Sequence, residues 1–141
     1  MPLETALLTV GTLLFATVGV GAVWRVLDGR RRRASGRVDV VRLGLTPGRA
    51  AFVLFSTETC ARCPQVRRML HGVVSDRGAL VVHDVDLTHR ADLAAKNRVL
   101  STPTTLLVDA DAQVVARFTG VPRREAVIAA LDELPALQDA S

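Results

Sequence analysis

The two cysteines of the 141-residue chain stand three apart, in Thr59-Cys60-Ala61-Arg62-Cys63-Pro64, just after an apolar run at 51–55. Two thiols at this spacing across the first turn of a helix lie on one side of it, so a disulfide can form and open with little backbone movement. A helix start also stabilises negative charge, and Cys60 is therefore expected to ionise more easily than a free thiol. Pro64 loses little hydrogen bonding in a first turn and sets the expected helix start at or just after Cys60. Arg62 adds positive charge beside Cys60, whereas Glu58 opposes it or serves as a base; these two are the candidate groups for tuning the thiol pKa. A structural disulfide or half a zinc site would use the same spacing. Zinc needs two more ligands, and only the scattered His71, His83 and His89 remain. Redox chemistry is the reading favoured, with no metal expected.

The elements that must position these thiols follow from apolar periodicity. Residues 38–43 are rich in β-formers and are expected as a first strand, followed by turn residues at 45–49. The continuously apolar 51–55 reads as a central strand covered on both faces. After the cysteines, Val66, Met69, Leu70 and Val73 form a helical stripe over 65–74. A strand is expected over 80–87, with Val81, Val85 and Leu87 inward. A short helix over 90–98 has Asp92 near its start and Lys96 and Arg98 near its end. Strands at 104–108 and 113–119 flank a polar loop, and a helix over 122–134 presents Val127, Ile128, Leu131 and Leu134 before Pro135 stops it. The expected order is β, β, α, β, α, β, β, α.

The net charge of +4 is local. Residues 1–37 hold six arginines against Glu4 and Asp28, while 38–141 carry twelve side chains of each sign. The basic balance therefore gives no support to nucleic-acid binding. Arginine greatly outnumbers the single lysine, Lys96, which has the look of a GC-rich bacterial genome. From residue 5 to 24 no charge occurs, and twenty helical residues span ~30 Å, the thickness of a bilayer's hydrocarbon core. Trp24 and Arg25 fall at the end of this stretch, at headgroup level. A signal peptide would need a basic start, which Met1-Pro2-Leu3-Glu4 lacks. The expected organisation is a transmembrane anchor at 1–27, touching lipid through 5–27, a basic juxtamembrane linker at 28–37 and a domain at 38–141. Arg25, Arg30, Arg31, Arg32, Arg33 and Arg37 all follow the span, which places the domain in the cytoplasm of a single-pass membrane protein.

Residues 51–134 together resemble the thioredoxin family. Phe55 to Cys63 matches its active-site segment, Val85-Asp86 its third strand, Ser101-Thr102-Pro103-Thr104 its proline loop and Gly120 the glycine before its last helix. A lone CxxC is weak evidence, but a CxxC, Thr-Pro-Thr, hairpin and amphipathic helix in this order and spacing are specific. The resemblance implies an α/β thioredoxin-like fold, a central mixed β-sheet flanked by helices, here with an N-terminal transmembrane helix. It implies a thiol–disulfide oxidoreductase that contributes to cell redox homeostasis, with Cys60 as nucleophile, Cys63 resolving and no bound cofactor. Its partners would be a disulfide-containing protein or small-thiol substrate and a redox partner that supplies or accepts electrons. It also implies a cis bond between Thr102 and Pro103 beside Cys60, where the Thr102 backbone pairs with an extended substrate.

The sequence departs from the family pattern in three places. Leu54 stands where a buried aspartate helps deprotonate the second cysteine. Thr59 replaces a tryptophan, and Ala61-Arg62 replaces Gly-Pro. The segment before residue 51 is too short for the usual first helix, which leaves one side of the sheet less covered. The competing function is a membrane-tethered binding module on the same scaffold with little turnover. Two thiols retained at redox spacing favour the enzyme.

Overall fold

Residues 51–56 are buried without interruption, and the sheet is built around them. The computed structural model describes residues 3–27, 31–32, 36–78 and 80–134. Its elements are α1 (Leu3–Leu27), β1 (Arg31–Arg32), α2 (Val40–Leu43), β2 (Ala51–Ser56), α3 (Cys63–Ser75), β3 (Val81–Asp86), α4 (Ala91–Lys96), β4 (Thr104–Val108), β5 (Val114–Thr119) and α5 (Arg124–Leu131). The five strands lie in the order β1-β5-β4-β2-β3. β2 pairs parallel with β3 and antiparallel with β4, so the sheet is mixed.

Alternation along β2 feeds two cores, because successive side chains leave opposite faces of a strand. Phe52 and Leu54 enter a cluster with Val66, Leu70 and Val73 of α3 and Val127, Ala130 and Leu131 of α5. Ala51, Val53 and Phe55 enter a second cluster with Leu43 of α2 and Leu93 of α4. The first face is covered by helices of 13 and 8 residues, the second by helices of only 4 and 6. The second face is thus the less covered one, as expected from the short segment before residue 51.

The expected first strand over 38–43 does not form. Val40–Leu43 is a short helix instead, capped at its start by Asp39, whose carboxylate accepts from the Arg42 N–H at 3.2 Å. Gly44 ends it in the left-handed region at φ 68° and donates its N–H to the last carbonyls. The β preference of the valines yields to a capped turn that sends Leu43 and Leu45 into the second core. The strand position at the sheet edge is taken by Arg31–Arg32, which pair antiparallel with Phe118 and Arg117 of β5. Arg37 then bridges to Gln113. The remaining parts of the 28–37 linker expectation, the side chains of Trp24 and Arg25, and Pro135 lie outside the described residues.

α1 contains Leu3–Val23, a 21-residue stretch long and apolar enough to cross a membrane, with none of it buried.

Candidate active site

Cys60 and Cys63 are joined by a disulfide, with S–S 2.04 Å and Cα–Cα 5.5 Å. α3 begins at Cys63, so Cys60 lies in the turn before the helix rather than in its first turn. That lead-in is closed by Cys60 N–H to the Thr57 carbonyl at 3.1 Å and Cys63 N–H to the Cys60 carbonyl at 3.3 Å. Pro64 occupies the first turn of α3, where its missing N–H is no loss. Cys63 is 2% exposed and packed under the helix start, whereas Cys60 is half-buried. Cys60 is therefore the more accessible of the two.

The Thr102–Pro103 bond is cis. Pro103 is buried, and its carbonyl accepts from the Gly120 N–H at 2.8 Å, which ties the proline loop to the end of β5. The hydroxyls of Thr57 and Thr102 lie 3.3 Å apart, and this contact joins the proline loop to the loop that carries the thiols. Thr102 and Pro103 are thus brought against the Cys60 segment from 45 residues away.

Sequence reasoning missed a polar group on the other side of the thiols. A cleft of about 360 Å³ is lined by Cys60, Cys63, Ser56, Arg67, Asp84 and Asp86, with Glu58 at its rim. Ser56 donates to Asp84 at 2.5 Å, and the Arg67 guanidinium pairs with the same carboxylate. Arg67, read from sequence only as pointing off the core stripe, is therefore fixed across the cleft. Asp86 accepts from both the hydroxyl and the N–H of Thr88, which holds its carboxyl below the ordinary range. The Thr88 oxygen in turn accepts from the Glu58 N–H at 3.0 Å, so the loop before Cys60 is anchored to the end of β3. Arg62 and Glu58 are both exposed beside the thiols. Leu54 is fully buried in the core cluster shared with α3. Among the described residues no three His, Cys, Asp or Glu side chains converge as metal ligands.

A mixed sheet with a CxxC disulfide at a helix start and a cis-proline loop joined to the loop before it defines a thioredoxin-like scaffold. Residues 45–133 match the family model described as Thioredoxin, and the chain belongs to that family. Among solved structures it is similar to oxidised mitochondrial thioredoxin 3 from Saccharomyces cerevisiae, at 19% identity and TM-score 0.53, covering 60% of this chain and 78% of that one. It is also similar to Fasciola hepatica thioredoxin, at 21% identity and TM-score 0.52, with 61% and 82% covered. A third similar chain comes from a structure concerning thiol resolution in yeast mitochondrial 1-Cys peroxiredoxin through glutathione and thioredoxin systems, at 17% identity and TM-score 0.54, with 62% and 80% covered. No curated protein sequence matches the chain significantly.

Proposed function

We propose that the chain is a membrane-tethered thiol–disulfide oxidoreductase that reduces disulfides of protein or small-molecule substrates on the cytoplasmic face. The observation that carries this reading is the Cys60–Cys63 disulfide at the start of α3, with Cys60 half-buried and Cys63 2% exposed. In the reduced protein the Cys60 thiolate attacks one substrate sulfur and the other sulfur leaves as a thiolate. Cys63 then loses its proton and attacks Cys60 Sγ, which expels the second substrate sulfur and leaves the Cys60–Cys63 disulfide. Two electrons pass from the dithiol to the substrate, and a separate dithiol donor restores the reduced form. Thr102 and Pro103 supply the backbone against which an extended substrate aligns. Arg62 favours the Cys60 thiolate by its positive charge, and Glu58 offsets it.

The membrane part of the proposal rests on α1. A 21-residue, predominantly apolar stretch that is unburied is costly in water, at about 25 cal/mol per Å² of apolar area, and a bilayer removes that cost. A binding module with little turnover is the second reading, supported by the buried Leu54 where the family carries an acid. Reduction of a model disulfide peptide by the full chain in neutral-detergent micelles separates the two. Turnover abolished by Cys60→Ser supports the enzyme, and a wild-type rate no faster than free dithiol overturns it. Cys63→Ala should trap substrates as mixed disulfides on Cys60, visible as gel shifts that a reductant reverses.

A further inference from the structure

Where the sheet is thinly covered by α2 and α4, a second cleft of about 500 Å³ opens beside α4. It shares no lining residue with the cleft beside the thiols, so its binding chemistry is independent of the redox reading. Its floor includes Leu106 and Val114, and its walls carry Arg37, Lys96, Arg98 and Arg117 without a carboxylate among them. Lys96 is already paired with Asp39 at 2.9 Å. Arg37 donates to the Asp111 carbonyl, and Arg117 to the carbonyls of Asn97 at 2.7 Å and Arg98 at 3.4 Å. Among the described residues no carboxylate pairs with Arg37, Arg98 or Arg117.

Arg117 is the central group. It rises from β5 half-buried, and its two carbonyl bonds fix the guanidinium against the end of α4 while leaving further N–H donors unused. Burial, and then the charge of Arg98, push the Arg117 guanidinium down from its ordinary value. Like charges gathered on a partly desolvated surface oppose the fold unless an anion offsets them. We propose that this cleft binds a phosphate group, presented either by a soluble phosphate compound or by the headgroup of an anionic phospholipid. Several donors arriving from separate elements suit a tetrahedral anion with several oxygens better than a carboxylate with two. The lipid source is within reach because Gly36, in the cleft wall, follows the end of α1 at Leu27 by a stretch that spans at most ~30 Å.

The test uses the full chain. In neutral-detergent micelles, calorimetric titration with inorganic pyrophosphate reads the soluble source. In nanodiscs of phosphatidylcholine alone or mixed with phosphatidylglycerol, hydrogen exchange at 96–98 and 114–117 reads the lipid source and separates it from contacts made by the preceding arginine cluster. Arg117→Gln should weaken pyrophosphate binding about tenfold or abolish the phosphatidylglycerol-dependent protection. Arg98→Gln, at an exposed position, should act in the same direction and guards against misfolding of the half-buried variant. Pyrophosphate binding that both variants weaken assigns the soluble source. Protection only with phosphatidylglycerol, lost in both variants, assigns the lipid. No binding in either arm, or binding that neither substitution changes, overturns the site.

Discussion

Before Cys63 can attack Cys60 it must lose a proton, and Leu54, fully buried in β2 on the α3 side, cannot accept one. Two of the three carboxylates that line the neighbouring cleft are already engaged, Asp84 by Ser56 and Arg67 and Asp86 by Thr88, which leaves Glu58. Resolution of the mixed disulfide is therefore expected to lag behind the first attack. Leu54→Asp should speed resolution by roughly a hundredfold, the lower end of what a placed base supplies. It should also cost about 3 to 5 kcal/mol of stability, from lost apolar packing and a desolvated carboxyl. Stopped-flow measurements with a disulfide peptide resolve the two steps, and chemical denaturation reads the cost. If wild type resolves as fast as it attacks and Glu58→Gln slows that step, Glu58 is the substitute base and the buried leucine is no handicap.

The shortest helix offers a test at the scale of one element. Asp39 is held below its ordinary 3.8 first by the Lys96 hydrogen bond and next by the Arg42 N–H. Its folded pKa lies below the unfolded one, so its contribution is complete above 3.8 and is lost as pH falls through the folded value. Asp39→Asn keeps a capping oxygen but removes the charge. It should lower Tm by about 3 °C at pH 7, and the gap should close under acid; a gap unchanged with pH would show that the charge contributes nothing. The cap also bears on how far sequence alone reaches. The strand at 51–56 was legible because an unbroken apolar run buried on both faces admits few other placements. At 38–43 the valines suggested a strand, although Asp39 and Gly44, the residues that end the short helix at either side, were equally visible. The thiols and the Thr102–Pro103 bond were legible from their motif. The Ser56, Asp84 and Arg67 group was not, since it depends on the register of β2 against β3, and only the alternation of Asp84 and Asp86 hinted at a shared face.

For the whole molecule the deciding element is α1, because its side chains at 3–23 are exposed and none is buried. Removing such a helix from water is strongly favourable, and a bilayer is the solvent its length matches. The proposed orientation follows from charge: Arg25, Arg30, Arg31, Arg32, Arg33 and Arg37 lie after the apolar stretch, and residues 1–24 contain no Lys or Arg. Basic residues resist translocation, so the domain is expected on the cytoplasmic side. A reporter that matures only in the cytoplasm, fused after Ser141, should be active, and one that requires export should be silent. Replacing Arg30, Arg31, Arg32 and Arg33 together by glutamine should raise the exported fraction, since the bias rests on their number. Activity of the export reporter on the wild-type chain would overturn the orientation. It would also change the chemistry expected of Cys60 and Cys63, because an oxidising compartment keeps the pair as a disulfide and favours donating it to substrates over reducing theirs.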